Sequence, residues 1–253
     1  MSRFYVQTPR KMGDTIEISG AEARHIQTVL RVKVGDEIVL FDGTGKEYWG
    51  TIESRRLHRI TVKIGKVNSP RRESPIDVIL GQGLLKGDKM DYVFQKTTEM
   101  GVSAIFPFIS SRTIPVLGGK GAERRWNRWK RIVVESAKQC GRVIPPRVED
   151  IRHYGSMVEG PFYGFVKLIL WEKEERSLKE RMREIDRNSR KFVFLVGPEG
   201  GFSEAEISAA QERGFIPVGL GPRILRSETA GVAMLSILQY EFGDWGLHPT
   251  SPL

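Results

Sequence analysis

The sequence predicts an α/β protein: a small β-barrel-like module followed by a larger unit built on a parallel sheet. Three observations carry that expectation. The first third holds short apolar-alternating runs broken by turn signals. After residue 75 strand-like runs alternate with helix-like ones, which implies a parallel sheet covered on both faces. Between them Asn68-Ser69-Pro70-Arg71-Arg72-Glu73-Ser74-Pro75 is polar with a proline near each end, the best linker in the chain. The expected domains are residues 1–70 and 75–246.

The elements follow from local pattern. Asp14 to Ile18 is a short alternating strand, and Ser19 with Glu22 forms a capping box that starts a helix with Ile26, Val29 and Leu30 on one face. Glu37 to Phe41 is a strand, Asp42-Gly43 a hairpin turn signal, and Tyr48 to Glu53 and Ile60 to Val67 further strands. Beyond the linker, Ile76 to Leu80 and Ser103 to Ile109 read as strands around a helix from Asp88 to Met100, capped by Asp88 and ended by Gly101. Ala122 to Gln139 is a helix with an apolar stripe through Trp126, Trp129, Ile132, Val133 and Ala137. Lys167 to Trp171 is a strand and Glu174 to Arg187 a charged helix. The apolar run Phe192 to Val196 suits a buried parallel strand. Ser203 with Glu206 opens a helix to Arg213, Ile216 to Leu220 is a strand, and Ser227 to Phe242 is the last helix.

Composition narrows the function. The 253 residues hold 40 Lys+Arg against 31 Asp+Glu, a net +9. Residues 1–74 carry 14 and 9, a net +5, and residues 75–253 carry 26 and 22, a net +4. A basic module beside a near-balanced one suggests a polyanion-binding attachment, although the charge alone is equally that of a soluble surface. The single cysteine, Cys140, excludes an internal disulfide framework and a Cys-rich zinc site, and points to a reducing cytosol. No apolar run approaches the roughly 18 residues of a membrane helix, and Met1 to Gln7 lack a signal-peptide plan. The expected location is therefore cytoplasmic, with no membrane partner.

The common catalytic motifs are absent. Gly83-Leu84-Leu85-Lys86-Gly87-Asp88 has neither the spacing nor the Lys-Ser/Thr pair of a phosphate-binding loop. Gly81-Gln82-Gly83 and Gly219-Leu220-Gly221 lack the third glycine of a dinucleotide fingerprint. There is no Gly-x-Ser-x-Gly elbow. His25, His58, His153 and His248 are scattered over different elements, so neither a metal site nor a His-based triad is expected. Three glycine-rich strand ends remain: Leu80 to Leu84, Leu195 to Ser203, and Leu220 to Gly231. In open α/β sheets ligands bind outside the carboxyl ends of strands. The last two segments leave a strand and enter a helix, and their glycines allow close backbone approach to a ligand. Pro198 and Pro222 stiffen them. One such loop would read as a tight turn; two of similar make-up favour a small-molecule pocket.

These segments resemble the RsmE family of RNA methyltransferases, in the knotted SPOUT superfamily. The resemblance rests on Gly197-Pro198-Glu199-Gly200-Gly201-Phe202-Ser203 followed by Leu220-Gly221-Pro222-Arg223-Ile224-Leu225-Arg226-Ser227-Glu228-Thr229-Ala230. Lys86 to Asp91, Gln95 to Val102 and Glu135 to Arg142 support it, and Val29-Leu30-Arg31 with Phe41-Asp42-Gly43 fit that family's PUA-like domain. The resemblance covers nearly the whole chain in order. It implies a trefoil-knotted α/β domain that binds S-adenosylmethionine, a homodimer, and N3 methylation of a uridine in 16S rRNA at the decoding centre of the small ribosomal subunit. A knot is the last topology general rules would choose.

Roles follow from that implication. Arg226 is the first candidate for a guanidinium that favours the uracil anion, with a salt bridge to Glu228 or Glu199 as the structural alternative. Glu199 is a proton acceptor, a cofactor-orienting group or a helix-capping carboxylate. Arg112 reaches the substrate or is a solvated surface charge. For the cofactor the candidates are Leu170, Leu195, Val196, Gly197, Gly200, Leu220, Gly221, Ile224, Leu225, Thr229 and Ala230, largely through backbone groups, with Trp171 as either wall or core. For RNA they are Arg3, Arg10, Lys11, Arg24, Arg31 and Arg55 in the basic module, and Gln139 and Arg142 at a helix end, where structural packing competes. The alternatives are a non-catalytic RNA-binding ribosome-assembly factor and a related methyltransferase acting at another RNA position.

Overall fold

The computed structural model describes residues 2–6, 11–28, 32–114 and 119–246. The chain divides into two compact units, residues 1–73 with 137–145, and residues 74–136 with 146–253. The sequence pattern did not set 137–145 apart, because its first four residues end the helix that runs to Cys140.

In the first unit, strands β1 (Arg3–Tyr5), β2 (Thr15–Ser19), β3 (Glu37–Phe41), β4 (Glu47–Arg56) and β5 (Arg59–Asn68), with helix α1 (Gly20–Thr28) after β2, form one curled sheet. The order is β1-β3-β4-β5-β2, with β1 parallel to β3 and the other pairs antiparallel. The barrel-like module is thus a half-barrel, its edges left to the two shortest pairings. Alternation places Ile16, Ile18, Ile38, Leu40, Ile52, Ile60, Val62 and Ile64 in one core with Ile26 of α1. Ser19 closes β2 and the helix begins at the next residue, Gly20, where the capping pattern places it; its φ of +70° is one glycine tolerates. The expected hairpin turn is held by Asp42, whose carboxylate accepts from the Thr44 N–H at 3.0 Å and from the Tyr48 hydroxyl at 2.7 Å.

In the second unit, β6 (Asp77–Gly83), α2 (Lys89–Glu99), β7 (Ala104–Ile109) and α3 (Gly119–Cys140) come first. Then follow the short β8 (Arg147–Val148), β9 (Arg152–His153) and α4 (Tyr154–Val158), which periodicity did not announce. The chain continues through β10 (Val166–Leu170), α5 (Leu178–Glu184), β11 (Lys191–Val196), α6 (Glu204–Glu212), β12 (Ile216–Val218) and α7 (Ser227–Glu241). The sheet order is β12-β10-β11-β6-β7-β8, with β9 also on β7, and every pairing is parallel. Successive residues of β6 feed opposite faces: Val78 and Leu80 join a core with Val93, Trp129, Met182 and Leu235, while Ile79 joins one with Met157, Ile207 and Ala210. Phe94 and Trp129 stack with ring centroids 4.9 Å apart, a contact worth about 1 kcal/mol beyond its buried area.

Caps explain the boundaries. Ser203 and Glu206 form a reciprocal capping box at α6, as the spacing predicts. A second box, Ser177 with Glu180, starts α5 later than the expected Glu174, and extended backbone at Ile185 ends it before Arg187. Asp88 stands at the N-cap of α2 but makes no side-chain cap bond. Gly101, at φ +89°, ends that helix.

Candidate functional site

A cavity of about 530 Å³ opens at the carboxyl ends of β10, β11 and β12. Three strand ends build it: Leu170-Trp171-Glu172, the loop Val196 to Phe202, and Val218 with Leu220 to Ala230 at the start of α7. Four lining residues, Gly197, Gly200, Gly201 and Gly221, carry no side chain to cover the peptide. The crowding is specific. A Cβ on Gly83 would stand 2.6 Å from the Pro198 nitrogen and 2.9 Å from the Gly197 carbonyl carbon. A Cβ on Gly197 would stand 3.1 Å from the Gly201 carbonyl carbon, and one on Gly200 3.1 Å from the Arg112 Cβ. The loop folds tightly on itself and on β6.

A buried polar cluster ties the segments together. The Ser227 hydroxyl donates to the Gly197 carbonyl and accepts from Gln82 Nε2 at 2.9 Å; Gln82 Nε2 also donates to the Gly83 carbonyl at 3.0 Å. The end of β6, the Gly197 loop and the N-terminus of α7 are thereby fixed together. Gln82 Oε1 and Glu228 Oε2 are buried with no hydrogen-bond partner, and Glu228 lines the cavity. An unsatisfied buried carboxylate oxygen is costly, which fits a wall that a ligand donor completes.

The expected residues sort clearly. Leu170, Val196, Gly197, Gly200, Leu220, Gly221, Ile224, Leu225 and Ala230 line the cavity, with Glu199 and Arg226. Ile224 is 86% exposed, an apolar side chain held in the open beside it. Two expected cofactor residues fall outside the lining. Leu195 is one residue too deep: it is fully buried and pairs with Gly81 and Ile169 in the ladder. Thr229 faces solvent on α7, its N–H donating to the Arg226 carbonyl at 2.9 Å. Trp171 lines the cavity and also packs against the α4–α6 core.

Arg226 is exposed at the N-cap of α7 and makes no ion pair among the described residues. The alternative salt bridge, to Glu228 or Glu199, does not form among the described residues; Glu199 is taken by Lys89 at 2.9 Å and by the Lys86 N–H at 3.1 Å. Burial pushes the Glu199 carboxyl up, but those hydrogen bonds and the lysine charge outweigh it and hold the carboxyl below its usual range. Both bonds fall on Oε1, and the lowered carboxyl is a weak proton acceptor and a good brace for the loop. Arg112 is off the cavity lining and donates to the Gly200 carbonyl at 2.9 Å, fixing the loop from outside.

Two RNA candidates are consumed within the first unit. Arg3 meets Glu47 and donates to the Gly141 and Arg142 carbonyls, both at 3.1 Å. Arg142 is 6% exposed and meets Glu73 at 2.8 Å through both Nε and Nη2. Their charges hold the unit together and are not presented to phosphates. Lys11, Arg24, Arg55 and Gln139 are exposed; Arg55 also donates to the Val32 carbonyl at 2.7 Å. Arg10 and Arg31 lie outside the described residues. Pattern reading missed Lys89, Glu172, Gln82, Ser227 and the orphaned Glu228; a lone Gln between two glycines in an apolar strand was the available signal for Gln82. Among the described residues no group of His, Cys, Asp or Glu is placed to hold a metal, and no helix is long and apolar enough to cross a membrane.

Comparison with known proteins gives the cavity a context. Residues 72–239 match the family model described as RNA methyltransferase domain, and residues 18–65 that described as RNA methyltransferase PUA domain. The chain is 31% identical over 250 residues to ribosomal RNA small subunit methyltransferase E of Bacillus subtilis, covering 95% of this chain and 97% of that one. The protein of that name from Buchnera aphidicola subsp. Schizaphis graminum is 31% identical over 242 residues, covering 96% and 97%. The crystal structure of a ribosomal RNA small subunit methyltransferase E from Neisseria gonorrhoeae bound to S-adenosyl methionine superposes with a TM-score of 0.89, at 37% identity over 97% of this chain and 99% of that one.

Proposed function

The chain belongs to the ribosomal RNA small subunit methyltransferase E family, and on that premise we propose that it methylates N3 of a uridine in 16S rRNA at the decoding centre of the small ribosomal subunit. It is an S-adenosylmethionine-dependent rRNA methyltransferase. The observation that carries the reading is the cavity of about 530 Å³ walled by glycine-loop backbone at three adjoining parallel strand ends. The residues present fit the cofactor: Gly197, Gly200, Gly201 and Gly221 in the lining, apolar walls at Leu170 and Ile224, and an unsatisfied carboxylate oxygen on Glu228 for a cationic ligand. When bound, S-adenosylmethionine supplies an activated methyl group on a cationic sulfur. The knotted threading that the resemblance implies belongs to the same proposal.

The chain's own residues then have three tasks. N3 of uracil carries a proton and is a poor nucleophile until it loses it, so the site must favour the base anion. The Arg226 guanidinium, at the cavity and without a carboxylate partner among the described residues, stabilises negative charge on the uracil oxygens. The base must leave its stack to reach the cavity, and the loop braces hold the wall in place when it arrives, which lowers the entropic part of the barrier. Lys89, Glu199 and Arg112 provide those braces. With the Glu199 carboxyl held below its usual range it is a weak base, and the N3 proton passes to solvent. The exposed basic residues Lys11, Arg24 and Arg55 of the first unit support phosphate docking. A homodimer in the cytoplasm completes the proposal; the exposed Ile224, Tyr240 and Trp245 support self-association.

Mass spectrometry of nucleosides from small-subunit rRNA treated with protein and cofactor tests the position. N3-methyluridine is the expected product. A different methylated nucleoside would move the protein to another RNA position, and no cofactor binding by calorimetry would leave an RNA-binding assembly factor.

A further inference from the structure

Charge in the second unit is concentrated in one helix. Residues 120–131 carry six Lys+Arg and one Asp+Glu, a net +5, while the whole of 75–253 is net +4, so the remainder of that region is net −1. These residues belong to α3, whose inner face buries Trp129 and Val133. Arg124 and Arg131 lie on the outer face, with Lys130 exposed at its margin, and none of the three makes an ion pair among the described residues. A spacing of four then three residues puts Arg124, Arg128 and Arg131 in one line along the helix. Arg128 anchors that line to the N-terminus of α2, meeting Asp91 and, at 3.6 Å, Asp88. Lys89, between those two aspartates in sequence, lines the cavity and holds Glu199. The inner edge is fixed too: Trp126 donates through Nε1 to the Val148 carbonyl at 3.2 Å, and Lys130 Nζ lies 3.2 Å from the Trp126 ring centroid.

Like charges spaced a turn apart repel one another by a few tenths of a kcal/mol per pair on an isolated helix. A surface that keeps Arg124 and Arg131 without ion pairs among the described residues, beside an Arg128 held on Asp88 and Asp91, is suited to a polyanion. We propose that the outer face of α3, through Arg124 and Arg131 with Lys130 at its margin, is a second RNA-docking surface that grips the phosphate backbone flanking the target base. The catalytic unit therefore holds its own length of RNA and does not leave docking to the first unit. This rests on the proposed function, since it takes the ligand to be RNA.

The test compares wild type with the triple variant Arg124→Gln, Lys130→Gln, Arg131→Gln in binding to protein-free small-subunit rRNA across salt concentrations. Each lost phosphate contact removes about 0.7–0.9 from the slope of log K against log salt, so a fall of about 2 is expected, with KM for RNA raised roughly tenfold. S-adenosylmethionine affinity by calorimetry should be unchanged, and the variant Arg124→Lys, Arg131→Lys should keep the wild-type slope. An unchanged slope and KM in a folded triple variant would overturn the proposal. So would weakened binding to assembled small subunits with normal binding to protein-free rRNA, which would assign the face to a ribosomal protein. The proposed function fails separately, if wild-type protein grips RNA through this face yet transfers no methyl group.

Discussion

Replacing Gly83 by alanine tests the cavity wall from behind. Gly83 ends β6, off the lining, and its missing Cβ leaves room for the Gly197–Pro198 peptide. A Cβ there would stand 2.6 Å from the Pro198 nitrogen, 2.8 Å from its Cδ and 2.9 Å from the Gly197 carbonyl carbon. Ordinary contact begins near 3.4 Å, so the loop must retreat by about 0.8 Å. The obstacles are backbone and a proline ring, which cannot rotate away. Overpacking of this kind costs about 1–3 kcal/mol. If the loop in place is what binds the cofactor, the same energy weakens affinity roughly 5- to 150-fold, at 1.4 kcal/mol per tenfold. Titration calorimetry with S-adenosylmethionine reads this directly, and thermal melting reports the strain. Gly155→Ala is the control: its Cβ meets nothing within 4 Å, so affinity should not move. A Gly83→Ala protein that binds with wild-type affinity would refute the reasoning, because the Gly197 loop could then shift without cost to the site.

Other perturbations separate the roles. Arg226→Ala should lower turnover by about 10²- to 10³-fold with cofactor affinity retained, and Arg226→Lys should recover little of it, since an ammonium lacks the planar fork; kinetics beside calorimetry decides. Lys89→Met removes the strongest brace on Glu199, so the Glu199 carboxyl should titrate at higher pH by carbon-13 NMR, and an unmoved titration would show that Lys89 does not hold it. Glu206 supplies an acid-stability test. Burial raises its carboxyl, but hydrogen bonds from Ser111 and Ser203 prevail and hold it below the usual range. A lowered folded value means stability that is present above the unfolded value and lost as pH falls through the folded one. Urea melts should therefore weaken from the ordinary carboxylate range downward, and Glu206→Gln should flatten that limb.

The parts that local chemistry determines were legible in the chain. Alternation and turn signals located β3 at Glu37–Phe41 without error, and the box at Ser203 and Glu206 located the start of α6. The two glycine-rich loops after β11 and β12 were legible because two of similar make-up each leave a strand and enter a helix, and both line the cavity. Three things were hidden. Strand β1 is three residues long and held by its parallel partner β3, so its own pattern is too short to read. The first glycine segment looked like a third loop, yet Gly81 and Gly83 stay in β6; their glycines serve Leu195 and the Gly197 loop, neighbours that only the fold supplies. Charge misled most. Arg3 and Arg142 count as basic surface in a sequence, but Glu47 and Glu73 neutralise them in the interior of the first unit. The basic face of α3 was diluted in an average over 179 residues, since the acidic remainder cancelled it.

The most direct measurement is primer extension on small ribosomal subunits from a strain lacking this activity, incubated with methyl-labelled S-adenosylmethionine and protein. An N3 methyl blocks Watson–Crick pairing, so the account predicts label in 16S rRNA and one new reverse-transcriptase stop at a uridine with wild-type protein, and neither with Arg226→Ala. Label without a stop, or a stop at another base, would contradict it.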